Sequence, residues 1–189
     1  MSNPYITVYV PFHTPEYAEA AQVALASLEA QTFRSFETIL VANGTRIPDW
    51  MCRDSFFTNT VAAFGRRLIA GPYHTLAAAS NAALALARGE FTVRLDADDE
   101  FTTDALMEYT RRTQVHPFTA IAGHWEDGGA VYGGGLLLPT RMAQGVGYDE
   151  AKPLNDGEEI VRRMGLEVRR TVEPVYFYNR AVAGSMTRS

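Results

Sequence analysis

Asp96, Asp98, Asp99 and Glu100 crowd four carboxylates into five positions, directly after the strand-like run Phe91–Leu95. Adjacent carboxylates repel one another, so such a cluster needs cations or amide donors to compensate it. A hard divalent cation, Mn2+ or Mg2+, is the simplest partner, because these ions prefer carboxylate oxygen. Mg2+ characteristically takes one or two protein carboxylates and fills its other positions with substrate phosphates and water. Asp96 and Asp98, two residues apart, reach one site if the backbone bends between them. The plainer alternative is a solvated acidic turn with Asp99 or Asp104 capping the next helix. Placement decides between them: ligands in open α/β sheets bind outside the carboxyl ends of strands.

The elements that would position this turn are legible on both sides of it. Tyr5–Pro11 reads as strand one, rich in β-branched and aromatic residues. Pro15–Gln31 reads as a helix with Thr14 as N-cap and Pro15 in its first position. Phe36–Ala42 is strand two and stops at Asn43-Gly44. Residues 45–65 have no clear period and leave room for one short helix. Arg67–Ala70 is a short third strand, and Thr75–Arg88 is a helix with Gly89 as its terminator. After Phe91–Leu95 the next helix is Thr102–Val115, capped by Thr102 or Thr103. Strand and helix alternate, which predicts an α/β fold with a mostly parallel sheet. Beyond Pro117, Ala120–Trp125 and Ala130–Leu138 read as a small β-ribbon around Asp127-Gly128-Gly129. Asp156–Met164 is a short helix and Val172–Tyr178 a last strand.

Five segments, in order, resemble the family 2 glycosyltransferases, which have the GT-A fold. ITVYVPFHT looks like the family's opening strand. LASLEAQTFRSFETILVANGT looks like its first helix, turn and second strand. AAASNAALALARGEFTVRLDADDEFTTDAL resembles its small-residue segment, helix, strand and DxD motif. GYDEAKPLNDGEEIVRRMG resembles the acceptor-side GFDE…ED…R…G segment, and VYFYNRAVAGSMT the closing YR…S segment.

The resemblance implies a nucleotide-sugar donor, a UDP-sugar being favoured, and Mn2+ or Mg2+. Asp96 would contact the ribose or nucleotide and stand beside the metal. Asp98 would bind the metal that bridges the diphosphate. Asp99 would support the site or touch the donor sugar. Asp156 would be the general base that deprotonates the acceptor hydroxyl; it also stands at capping-box spacing from Glu159. Pro11, Asn43, Asn81 and Arg180 complete the implied donor-binding set. Residues 1–100 would form the donor half of a single 1–189 domain, and 101–189 the acceptor half.

The chain departs from the family at three points. Where the family has acidic residues after strand two, this chain has Val41-Ala42-Asn43-Gly44-Thr45, so Asn43 or Thr45 would have to hydrogen-bond the base. Asn155 replaces the Glu before Asp156. Arg180 is followed by Ala181 and Val182, not by the histidine that often adds a metal contact.

Other residues admit two readings each. Ser80 and Asn81 stand near the implied phosphates or are plain helix polarity. Arg94 faces solvent or pairs with the carboxylates. His13, His74, His116 and His124 show no metal-ligand spacing, and His13 is the best placed for a site contact. Trp125 and Tyr132 pack in a core or offer a stacking platform. Gly133-Gly134-Gly135 permits close ligand approach or marks a bulge.

Composition bounds the rest. The 189 residues suit one domain. A 47% hydrophobic and 21% charged chain is that of a globular protein. The single Cys52 allows no internal disulfide and suits a cytoplasmic setting. No run approaches the roughly 18 to 20 apolar residues of a membrane span, and no signal-peptide pattern opens the chain. Net charge is −5, yet residues 160–189 hold six arginines against two glutamates, a local +4. That segment is either a solvated face or a basic lip toward an anionic ligand. The acceptor is accordingly open among a glycan, a lipid-linked sugar, a small molecule and a hydroxylated base in viral DNA. A homodimer is compatible with all of these. A nucleotidyltransferase would carry a glycine-rich basic signature near strand one, which VPFHTPEY lacks. A non-catalytic nucleotide- or sugar-binding module on the same scaffold is the competing class.

Overall fold

The computed structural model describes residues 3–53, 63–123, 134–152 and 157–177. Strand β1 (Ile6–Phe12) is buried along its whole length. Such a strand must be covered on both faces, which explains its near-continuous apolar run. One face carries α1 (Pro15–Glu29), whose Ala18, Ala21, Ala24, Leu25 and Leu28 pack on Ile6, Val8 and Val10. Thr14 caps α1 by accepting from the Tyr17 N–H, with Pro15 following it as expected. The other face carries α2 (Leu76–Leu86), whose Ala79 and Ala83 pack with Tyr9 and with Ile39 and Val41 of β2 (Phe36–Asn43).

With β3 (Arg66–Gly71), β4 (Phe91–Arg94), β6 (Ala120–Ala122), β7 (Leu136–Pro139) and β8 (Val168–Arg170), these strands form a seven-stranded sheet. Its order is β3-β2-β1-β4-β7-β6-β8. All adjacent pairs are parallel except those made by β7, which runs antiparallel to both β4 and β6. A second, two-stranded antiparallel sheet joins β5 (Glu100–Phe101) to β9 (Tyr176–Phe177). Helices α3 (Ala105–Val115), α4 (Thr140–Val146) and α5 (Gly157–Met164) complete the fold, with a 3-10 turn at Asp49–Cys52.

Several expectations shift. The antiparallel pair foreseen after Pro117 is present, but β6 and β7 are built into the main sheet. The separate small sheet is β5–β9. Helix α3 begins at Ala105, not Thr102, because Thr102 is already committed. Its N–H donates to Val175 O, its hydroxyl to Pro174 O, and its carbonyl accepts from Gln31. Asp104 holds the cap position but gives its carboxylate to the Thr32 hydroxyl at 2.6 Å. Of the expected strand Val172–Tyr178 only β9 (Tyr176–Phe177) is strand among the described residues, following Pro174, which has no N–H to donate; β8 (Val168–Arg170) lies before that span and was not foreseen. Gly89 is no left-handed cap, for the backbone at Ala87 has already turned extended. A Cβ at Gly89 would come 2.5 Å from Thr7 N and 2.7 Å from Phe91 O, so the glycine lets this loop lie against β1. Helix α4 was not foreseen; Gly145 obscured it, and Gly147, at φ 66°, ends it.

Candidate active site

The chain runs from β1 through β2 to β3 on one side, then returns to place β4 on the other side of β1. That reversal opens a crevice at the carboxyl ends of β1 and β4. Register brings the sequence-predicted residues to this edge. Asn43 ends β2 opposite Gly71, and Asp96 follows the end of β4, where Arg94 lies beside Tyr9. Asn43 is half-buried, and its neighbour Gly44 takes a φ of 60° and donates to Gly71 O. Pro11 is buried within β1 opposite Val41 and offers no side-chain surface there. His13 is exposed just beyond β1, its ring stacked on Tyr17 with centroids 4.9 Å apart.

The carboxylate turn is closed by the Asp99 N–H donating to Asp96 O at 3.1 Å. Its three aspartates have different surroundings. Asp96 is partly exposed and is gripped from below by Arg94. Arg94 Nη2 donates to Asp96 Oδ2 at 3.2 Å, and Arg94 Nε lies 2.7 Å from Oδ1 at ion-pair range, though not aimed for a hydrogen bond. Arg94 is buried. Burial opposes its charge, but Asp96 and the hydroxyls of Tyr9, Tyr148 and Tyr176 hold the guanidinium above its ordinary range. Of the two readings for Arg94, pairing with the cluster is therefore the one realised.

Asp98 is 7% exposed. Burial pushes its carboxyl above the ordinary aspartate range, and the Asp96 charge adds to the rise, while its own backbone N–H pulls the other way. Asp99 is fully buried and accepts from Tyr176 Oη at 2.6 Å. The same hydroxyl accepts from the Asp96 N–H at 3.4 Å. Burial, followed by the Asp96 and Asp99 charges, pushes the Tyr176 hydroxyl well up, so it stays a protonated donor. Asp99 is thus engaged with the protein through Tyr176.

Asn81 is also engaged. Its amide donates to Tyr148 O at 3.0 Å and to Glu150 Oε1 at 2.8 Å, and its oxygen accepts from Tyr148 N–H at 2.8 Å. It stitches α2 to the loop after α4. Asp156 and Arg180 lie outside the described residues, as do His124, Trp125, Tyr132 and Gly133.

Two further residues complete the turn: Tyr176, which reasoning from sequence did not single out, and Gly134 of the triple-glycine run. Tyr176 reaches Asp99 across 77 positions of sequence, a pairing that no local pattern signals. Gly134 lies against both: a Cβ there would overlap the Tyr176 hydroxyl and come 2.9 Å from Asp96 Oδ2. The triple-glycine run was the only signal for it.

Among the described residues, no three His, Cys, Asp or Glu side chains converge as a metal cage. The donor set still fits a hard cation that brings its own phosphate ligands, since Asp98 is a buried carboxylate with no ion-pair partner among the described residues. The arginine-rich segment is largely balanced where it is described. Arg162 and Arg163 pair with Glu159, and Arg169 pairs with Glu167 at 2.7 Å. No helix among the described residues is long and apolar enough to cross a membrane.

Comparison with known proteins places these features in context. The profile of glycosyl transferase family 2 matches residues 7–136. Curated protein sequences gave no match. Among solved structures, S. aureus TarS 1–349 in complex with UDP-GlcNAc superposes with a TM-score of 0.78 at 15% identity, covering 97% of this chain and 61% of that one. S. aureus TarS gives 0.74 at 14% identity over 92% of this chain and 36% of its own. The mannosyltransferase PcManGT from Pyrobaculum calidifontis, in complex with GDP-Man and Mn2+, gives 0.72 at 19% identity, covering 92% and 56%. The chain spans less than two thirds of the length of each of these structures.

Proposed function

The chain belongs to glycosyl transferase family 2, and from that premise we propose that it moves a sugar from a nucleotide-diphosphate donor to an acceptor hydroxyl, inverting the anomeric centre. The observation that carries this reading is the carboxylate turn itself: Asp96 to Asp99, at the end of β4 on the crevice edge, with buried Asp98 in need of a cation. Solved structures of like fold hold UDP-GlcNAc and GDP-Man with Mn2+, which is the chemistry this turn suits.

In this reading residues 1–100 hold the donor and 101–189 the acceptor. Asp98 holds Mn2+ or Mg2+, with Asp96 beside it. When bound, the cation offsets the charge that builds on the departing diphosphate. Asn43 hydrogen-bonds the base through an amide that both donates and accepts. Asp96 takes a ribose hydroxyl, and the family resemblance adds Arg180 to the donor-binding set. Asp156 accepts the proton of the acceptor hydroxyl as its oxygen attacks the anomeric carbon from the face opposite the leaving group. Asp99 keeps the turn in shape. The acceptor in this reading is a glycan or small-molecule hydroxyl.

The test is thermal unfolding with UDP, GDP, CMP and dTDP, each with and without Mn2+, for the wild type and Asp98→Asn. A nucleotide at a hundredfold excess over its dissociation constant stabilises the fold by about 2.7 kcal/mol. One nucleotide should do so in a Mn2+-dependent manner, and Asp98→Asn should lose the effect. No shift with any nucleotide would remove the donor site. Binding without release of sugar from the matching sugar nucleotide would make the chain a binding module.

A further inference from the structure

Two of the three aspartates in the turn are already spent on internal partners. Arg94, the last residue of β4, engages both oxygens of Asp96 from beneath the turn. Tyr176 of β9 holds Asp99 and the Asp96 amide from the other side. Arg94 is buried but Asp96 is partly exposed, and an ion pair so placed is a modest stability device. The face of β4 that carries Arg94 does not demand one, for Thr92, two residues earlier on that face, is neutral and equally buried. Arg94 Nε lies 2.7 Å from Asp96 Oδ1 without hydrogen-bond geometry, so on that side the guanidinium is held to Asp96 by charge. Asp98 has no ion-pair partner among the described residues.

We propose that Arg94 and Tyr176 are positioning residues of the transfer reaction. Arg94 neutralises Asp96 and aims its carboxylate, and Tyr176 locks Asp99, so that the turn offers a single uncompensated carboxylate, Asp98, to the incoming cation and diphosphate. The inference rests on the donor-site reading above and adds a physical consequence. Without Arg94 the turn would expose a second uncompensated carboxylate two residues from Asp98. It would then attract bare cations more strongly while repelling the diphosphate that must accompany them.

The test is Mn2+ binding followed by electron paramagnetic resonance, with and without UDP, on folded wild type, Arg94→Met, Arg94→Lys and Tyr176→Phe. Arg94→Met should bind bare Mn2+ more tightly, by about threefold to tenfold, yet bind Mn2+ with UDP less tightly. A variant that merely unfolds loses both, so the opposite signs mark positioning. Arg94→Lys should return bare affinity toward the wild type by restoring the charge, without restoring UDP-linked affinity, because an ammonium lacks the two-pronged grip. Tyr176→Phe, which deletes one oxygen, should weaken UDP-linked binding with the circular dichroism unchanged. Arg94→Met and Tyr176→Phe indistinguishable from the wild type would overturn the proposal, as would an equal loss of bare and UDP-linked binding in folded Arg94→Met. A wild type that binds no Mn2+ with UDP would overturn the donor-site reading and this proposal together. Wild-type binding with unaltered variants would overturn this proposal alone.

Discussion

The side chain of Asn81 forms a reciprocal pair with the backbone of Tyr148, accepting from its N–H at 2.8 Å and donating to its carbonyl at 3.0 Å. Tyr148 in turn meets the hydroxyl of Tyr9 at 3.3 Å, on the strand that lies beside Arg94. One amide therefore ties α2 to the loop that leads toward α5. Asn81→Ala leaves both Tyr148 backbone groups without this partner and should cost about 1–3 kcal/mol, measured by urea denaturation. UDP binding with Mn2+ should hold its wild-type affinity once the protein is folded. A larger loss of nucleotide affinity would make Asn81 a donor contact after all.

Glu37 is 1% exposed and accepts five hydrogen bonds, from Thr7, from Arg67, and from the backbone and two guanidinium nitrogens of Arg88. It links β1, β2, β3 and the loop before β4, away from the carboxylate turn. Glu37→Gln keeps the shape but removes the charge. Because Arg67 and Arg88 retain access to solvent, the loss should be about 2–3 kcal/mol, below that of a fully buried broken pair. Urea denaturation measures it, and nucleotide binding by the remaining folded protein should not change.

Two glycines separate packing from propensity. A Cβ at Gly89 would meet the backbone of Thr7 and Phe91 at 2.5 and 2.7 Å, and backbone cannot step aside. Gly89→Ala should destabilise by about 1–3 kcal/mol or more. A Cβ added at Gly145, inside α4, would have nothing within 4 Å of it. Gly145→Ala should stabilise by about 0.5–1 kcal/mol. Thermal melts of the two variants should move in opposite directions.

Gly134→Ala puts a methyl against both the Tyr176 hydroxyl and the Asp96 carboxylate. The fold should survive, since the crowded groups are side-chain ends. Mn2+-dependent UDP binding should weaken by about tenfold, equivalent to ~1.4 kcal/mol, measured by calorimetry. Wild-type affinity would show that the turn tolerates displacement.

Local sequence determined the elements and the edge on which they meet. Thr14-Pro15 starts α1, Asn43-Gly44 ends β2, and the apolar runs of β1, β2 and β4 demand a sheet covered on both faces. These are short-range matters of caps, turns and burial, and they bring the carboxylate turn to the carboxyl end of β4 without further information. Tertiary structure alone decided what each carboxylate does there. Asp96 faces Arg94, Asp99 faces Tyr176, and Asp98 is buried with no ion-pair partner among the described residues. Three aspartates within four positions are chemically alike in sequence. They become different only when a strand neighbour and a tyrosine 77 positions away assign each its own dielectric and its own partner. The same reason left Arg94 and Asn81 with two readings each: a polar side chain's role is set by what lies across the sheet or the helix interface, and strand periodicity does not specify that partner.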